Sequence, residues 1–241
     1  MIFGYFDNKI KEDHHSIDIR GRKVPLIVRR HPRARRMILR LNMVGEGAII
    51  TIPGDASSND AIHLARNKSS WLYQQLKEIG ERVAFSDGVQ IPFQGVQHRV
   101  RHRKDALGMV WIEDGEINVT GDIKYLSRRL SDWLKKQAQI RIKTLVYQKA
   151  KQIKRVPSRI TIRDTRTRWG SCSSKGRLSF SWRLIFAPPE ILDYVVAHEV
   201  AHLVHMNHSS KFWNTVDRLT ENAKSGRAWL NDNGSALQRI G

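Results

Sequence analysis

The stretch His198-Glu199-Val200-Ala201-His202 sets two imidazoles four residues apart with a carboxylate between them. On a helix, residues four apart stand one turn above each other, so both rings can reach one metal ion. Glu199 lies about 100° round the helix from His198, beside the ion instead of on it. From there it can take a proton from a metal-activated water and return it to a leaving group. His208, six residues past His202, offers a third ligand. Three imidazoles suit Zn2+ better than magnesium, which prefers carboxylates. Neutral histidines would leave the loaded site at +2, which favours an anionic transition state at carbon or phosphorus.

His205 competes with His208 for the third position, and helix geometry separates them. A continuing helix puts His205 about 10 Å along the axis from His198, whereas nitrogens around one tetrahedral zinc stand only about 3.3 Å apart. The expectation is therefore that the helix stops and the chain folds back to bring in His208. Asn207, tolerant of left-handed backbone, is expected to make that turn. Asp217 and Glu221 are weaker candidates to accept a ligand's second N–H. The spacing of positions 198, 202 and 208 is that of metzincins. Two departures argue against membership: His205 stands where their glycine belongs, and no methionine follows Met206.

The pentad needs a helix, and the sequence supplies one. Pro188 and Pro189 fit a first helical turn, and Ile191, Leu192, Val195 and Val196 continue it to about Val204. Before it, Arg159–Arg163, Thr167–Ser171 and Arg177–Trp182 read as short strands with alternating polar positions. A long amphipathic helix is expected from Ile123 to Ile153, ending near Pro157. Further upstream, Met37, Leu39 and Leu41 alternate as a strand. Gly45-Glu46-Gly47 reads as a turn into a strand over Ala48–Ile52. Ser57, Ser58 or Asn59 caps one helix running to Ile79. Three short strands are expected between Val96 and Thr120. No internal repeat is evident. The fold class is α+β, divided as a flexible arm over 1–20, a β-rich part with one helix over 21–121, and a catalytic part over 122–241, with 21–241 expected to form one continuous domain.

Composition narrows the class further. The 241 residues carry 42 Lys plus Arg against 23 Asp plus Glu, a net charge of +19, with 40% apolar residues. That excludes a disordered chain and a collagen-like one. The apolar runs are too short to span a membrane, and the charged start argues against a secretory signal. One cysteine, Cys172, excludes an internal disulfide and a cysteine-cluster zinc site, so a reducing, cytoplasmic address is expected. The positive charge is concentrated. Arg20–Arg40 holds nine basic residues and no acidic one, and Lys124–Arg177 holds 17 against two. Such segments attract nucleic acid, nucleotides or acidic proteins. Cys172 reads as a packed thiol. Trp169, Trp182 and Trp213 read as core or as the walls of a groove, and Tyr194, one turn before His198, as packing or a site residue.

Several segments together resemble one family. Trp169-Gly170-Ser171-Cys172-Ser173, Arg183 through Pro189, Asp193 through Glu199, His205-Met206-Asn207-His208-Ser209 and Phe212-Trp213 are similar to the YgjP-like predicted metal-dependent hydrolases, relatives of the SprT-like zinc metalloproteases. The resemblance is dense from about Ile160 to Trp213 and weaker toward Arg29–Leu41 and Arg227–Leu230. It implies a zincin-like core, a small sheet and long backing helix around the active-site helix. It also implies zinc on His198, His202 and His208, with Glu199 as general base. The expected activity is metallopeptidase cleavage of a peptide or protein. Two alternatives stand beside it: a metal-dependent nucleoside triphosphate pyrophosphatase, and a basic nucleic-acid-binding protein whose metal site is structural.

Overall fold

The computed structural model describes residues 11–42, 47–78, 82–165 and 168–241. The chain divides into two compact units, 1–80 and 81–241.

In the first unit, β1 (Lys11–Ile19) and β2 (Arg22–Arg30) form a hairpin. Its two-residue turn has Arg20 at φ 54° and Gly21 at φ 80°, the left-handed pair that matches strand twist. β3 (Ile38–Asn42) and β4 (Gly47–Ile52) pair antiparallel, and β4 lies parallel beside β2, giving the order β1-β2-β4-β3. Ile17, Ile19, Val24, Leu26, Val28, Ala48, Ile50 and Ile52 alternate onto one buried face. There they meet Ala61, Ala65 and Leu72 of α1 (Ser58–Asn67) and α2 (Ser69–Glu78). Ser57 caps α1 in a reciprocal box with Asp60.

Two expectations change here. Residues 11–19 of the supposed arm are a strand, because Ile17 and Ile19 bury and the Arg20-Gly21 turn folds β1 onto β2. The single helix to Ile79 is two helices that break at Lys68, where Asn67, Ser69 and Ser70 are weak helix formers. Residues 1–10, most of the Gly45-Glu46-Gly47 turn and Ile79 itself lie outside the described residues, as does Thr167.

The second unit begins with the same arrangement. β5 (Gln90–Phe93) and β6 (Val96–Arg103) form a hairpin, β7 (Val110–Glu113) and β8 (Glu116–Thr120) form another, and β8 runs parallel to β6. The order is β5-β6-β8-β7. The apolar residues of this sheet join the core under α3 (Leu126–Gln152), so the division falls after residue 80 and not after 121. α3 buries every fourth residue from Leu126 through Val146 and leaves its basic side chains outward, Lys149 excepted.

A three-stranded sheet follows: β9 (Arg159–Arg163), β10 (Gly170–Cys172) and β11 (Arg177–Ser181), in the order β10-β11-β9. α4 (Pro189–Ala201) is apolar nearly all round and runs through the core, as a wholly buried helix should. α5 (Ser210–Leu219) and α6 (Ala223–Leu237) close the unit. Neither was anticipated. The buried trio Phe212, Val216 and Leu219 of α5 carries a helical spacing, whereas α6 hides behind Gly226, Gly234 and two asparagines.

Candidate metal centre

Helix α4 presents two polar side chains from an apolar cylinder, His198 and Glu199, in its last turn, with His202 just beyond. Leu203 and Val204 donate to carbonyls three residues back, at 3.0 and 3.1 Å from Val200 and Ala201. That tightening ends the helix, and α5 starts at Ser210. None of residues 203–209 takes a positive φ, so the left-handed turn expected of Asn207 is not used.

The turn brings three rings together. One nitrogen each of His198, His202 and His208 lies within 4.8 Å of the others. The Nε2 atoms of His198 and His208 are 3.1 Å apart, close to the separation that tetrahedral zinc imposes. His205 does not join the group. Its carbonyl instead lies 2.9 Å from His202 Nδ1, a bond that makes Nδ1 the protonated nitrogen and leaves Nε2 free to bind. This is the second-nitrogen contact expected of Asp217 or Glu221, and neither carboxylate makes it.

Phe212, fully buried, packs its ring 4.5–4.9 Å from all three imidazoles. It stands four residues past His208, on the inner face of α5. It forms an apolar floor in a chain that has no methionine after Met206 for the purpose. Trp213 flanks His198 and His208 at 5.8 and 5.9 Å. Trp182 is core and Trp169 packs on Gly234 of α6. The Tyr194 ring does both jobs, standing edge-on to His198 at 6.0 Å and packing against Gly226, which leaves no room for a Cβ.

Electrostatics follow from burial. His198 is pulled down to about 4, first by burial and then by His202 and His208. Burial also holds His202 below its ordinary value, against the pull of the His205 carbonyl. Both are therefore unprotonated at neutral pH, the form that binds a metal. Burial pushes Glu199 up to about 7, with the Arg168 charge working the other way. A carboxylate near 7 is suited to exchanging protons at neutral pH. The Cys172 thiol is pushed up to about 11 by burial and by the Glu199 charge, so it stays protonated and is a poor nucleophile.

Two features fix these parts. Lys149 of α3, buried, bonds Asp193 of α4 at 2.6 Å and the carbonyl of Leu219 at 2.6 Å. Thr220 donates to the other oxygen of Asp193, so one buried knot ties α3, α4 and the end of α5. Gly170 of β10 lies against Glu199: a Cβ there would stand 2.5 Å from the Glu199 Cγ. β10 is the edge strand. Trp169 and Ser173 bond inward to β11, so by antiparallel alternation the peptide groups of Gly170 and Cys172 face the open edge.

An α+β domain that gathers three imidazoles and a buried carboxylate beside an open strand edge defines a class, that of proteins equipped to hold one transition-metal ion. The family match carries this further. The YgjP-like, metallopeptidase domain matches residues 35–233, and the chain belongs to that family. At the family level it is a metal-dependent hydrolase acting on protein or peptide. Comparisons with curated proteins and with solved structures gave no match. No helix among the described residues is long and apolar enough to cross a membrane.

Proposed function

We propose that the protein is a zinc-dependent metallopeptidase in which His198, His202 and His208 hold the ion and Glu199 is the general base. The observation that carries this reading is the three-nitrogen cluster beside a nine-tenths buried carboxylate next to His198 on α4. Among the described residues no fourth His, Cys, Asp or Glu joins the cluster. Structural zinc sites are closed by four protein ligands, whereas catalytic ones keep a position open. The donor set, all nitrogen, fits zinc and fits magnesium poorly, which argues against a pyrophosphatase.

Zinc, when bound, supplies Lewis acidity, polarising a carbonyl and easing the deprotonation of water. Glu199 takes the proton of the attacking water and passes it to the departing amine as the peptide C–N bond breaks. The open peptide groups of Gly170 and Cys172 can pair with an extended substrate and hold its backbone beside Glu199. Phe212 and Trp213 keep the base of the site dry, which strengthens each charge interaction above them.

Glu199→Gln tests the assignment. It should keep its zinc and its fold while cleavage falls by about 10²- to 10⁴-fold. A variant that turns over peptide at the normal rate, or a wild type that hydrolyses nucleoside triphosphates and no peptide, overturns the reading.

A further inference from the structure

The sheet β9–β11 has a core face and an outer face, and the outer face carries one sign of charge. Leu178, Phe180, Ile160 and Ile162 point into the core. On the opposite side Arg159, Arg163 and Arg177 stand exposed, with Arg168 at the rim, around a concavity of about 390 Å³. Arg159 and Arg177 are direct neighbours across the parallel pair β9/β11. Like charges so placed repel unless something relieves them. Among the described residues, no carboxylate forms an ion pair with Arg159, Arg163 or Arg177, while the Arg168 charge also acts on Glu199. The floor between them is hydroxyl: Ser171, Ser179 and Thr161 stand in register across the three strands.

We propose that this groove is a subsite for acidic side chains of an extended polypeptide substrate. The inference rests on the metallopeptidase reading and names the substrate class for it. A chain paired to the free edge of β10 sets alternate side chains on the Ser171 face, which is the groove's face. Arg177, one strand in from β10, then lies about 10 Å from the added chain, a span that Arg and Glu side chains bridge together. Guanidinium groups bind carboxylates through paired hydrogen bonds, a fit that lysines lack. Single-stranded nucleic acid is the competing occupant of a basic groove, but it binds by stacking bases on aromatic rings. The groove lining has none.

The test uses the full chain carrying Glu199→Gln, loaded with zinc, so that binding is read without cleavage. Fluorescence anisotropy compares a labelled Glu-rich peptide with the same peptide carrying Gln at each Glu. The acidic peptide should bind about 10-fold more tightly or better, and Arg159→Ala/Arg177→Ala should erase that preference. Arg177→Glu should reverse it, favouring a Lys-rich version; circular dichroism verifies that each variant is folded. Equal affinity for the Glu and Gln peptides overturns the proposal. So does an oligodeoxythymidylate that binds more tightly than the Glu peptide and displaces it. Binding without any cleavage by wild type would leave the groove standing and remove the peptidase reading. Cleavage that ignores acidic residues would do the reverse.

Discussion

The two four-stranded sheets make an instructive pair. β1-β2-β4-β3 and β5-β6-β8-β7 have the same strand order, the same two antiparallel hairpins and the same parallel inner pair. Each is followed by helix. Both open with a hairpin whose turn is a left-handed residue followed by glycine, Arg20-Gly21 and Gln94-Gly95. Their fates differ. The first closes its core against α1 and α2. The second hands its apolar face to the 27-residue α3, and α3 also backs the short 3-10 helix Trp182–Phe186, α4 and β9. The candidate site stands beyond the second copy of this topology: β9 to α6 add the three-histidine cluster, the buried Glu199 and the arginine groove. One topology thus serves once as a self-contained module and once as the footing of a site.

The sharpest way to break this comparison is to remove what the extension adds. His208→Ala should weaken zinc by more than about 100-fold, since even outer partners of a ligand cost 10- to 100-fold. His205→Ala should leave zinc content unchanged, because its carbonyl, and not its ring, touches His202. Equilibrium dialysis decides, and zinc loss confined to His205→Ala would reassign the third ligand.

How far all this could be read beforehand depends on where each signal lies in the chain. The histidine spacing encodes the cluster locally, so positions 198, 202 and 208 were legible from side-chain reach alone. Three strands of the second sheet were legible, but neither β5 nor the repeat was, because what recurs is alternation and turn chemistry, with different residues at each step. β1 was missed since seven of its nine residues are charged or polar, and only pairing with β2 orders them. The floor under the site was missed because Phe212 acts through tertiary contact. The role of Gly170 is visible only when β10 and α4 are brought together, as is the open edge of β10. Long-range juxtapositions of this kind leave no local trace.

A core truncation in each sheet sharpens the comparison next. Leu26 and Ile117 are both fully buried on inner strands. Either Leu→Ala or Ile→Ala change there should cost about 3 kcal/mol of stability. Ile117→Ala acts on the core shared with α3 and α4 and should lower zinc affinity as well, whereas Leu26→Ala should leave it unaltered. Chemical denaturation with a zinc titration on each variant reads both quantities. Equal loss of zinc affinity in the two variants would erase the distinction between module and footing.

Gly170→Ala probes the seam between the small sheet and α4. The added methyl must displace Glu199, whose side chain is buried and has little room to yield. Misplacing a catalytic group by about 1 Å costs on the order of 100-fold, so kcat should fall by about that factor while zinc content holds. Unchanged turnover would show that Glu199 acts from another position.

The smallest expected effect concerns the metal-free protein and the environment that the extension builds around Glu199. Its carboxyl is raised from 4.5 to about 7 by burial. The folded state therefore holds this proton more tightly than the unfolded state does. A group raised in this way favours folding where it is protonated, and that contribution is lost as pH rises from about 4.5 through about 7. Glu199→Gln, which cannot ionise, escapes the loss. With zinc removed by chelation, the variant should match wild type in stability near pH 4 and exceed it near pH 8 by about 1 to 3 kcal/mol. His198, lowered to about 4, works in the opposite direction: its burial destabilises the fold as pH falls from 6.5 toward 4. Because that penalty is present in both proteins, the difference between them isolates the carboxylate. Urea unfolding across this pH range makes the measurement. A stability gap that shrinks as pH rises would mean that Glu199 is held as a charged group, and that burial does not govern it.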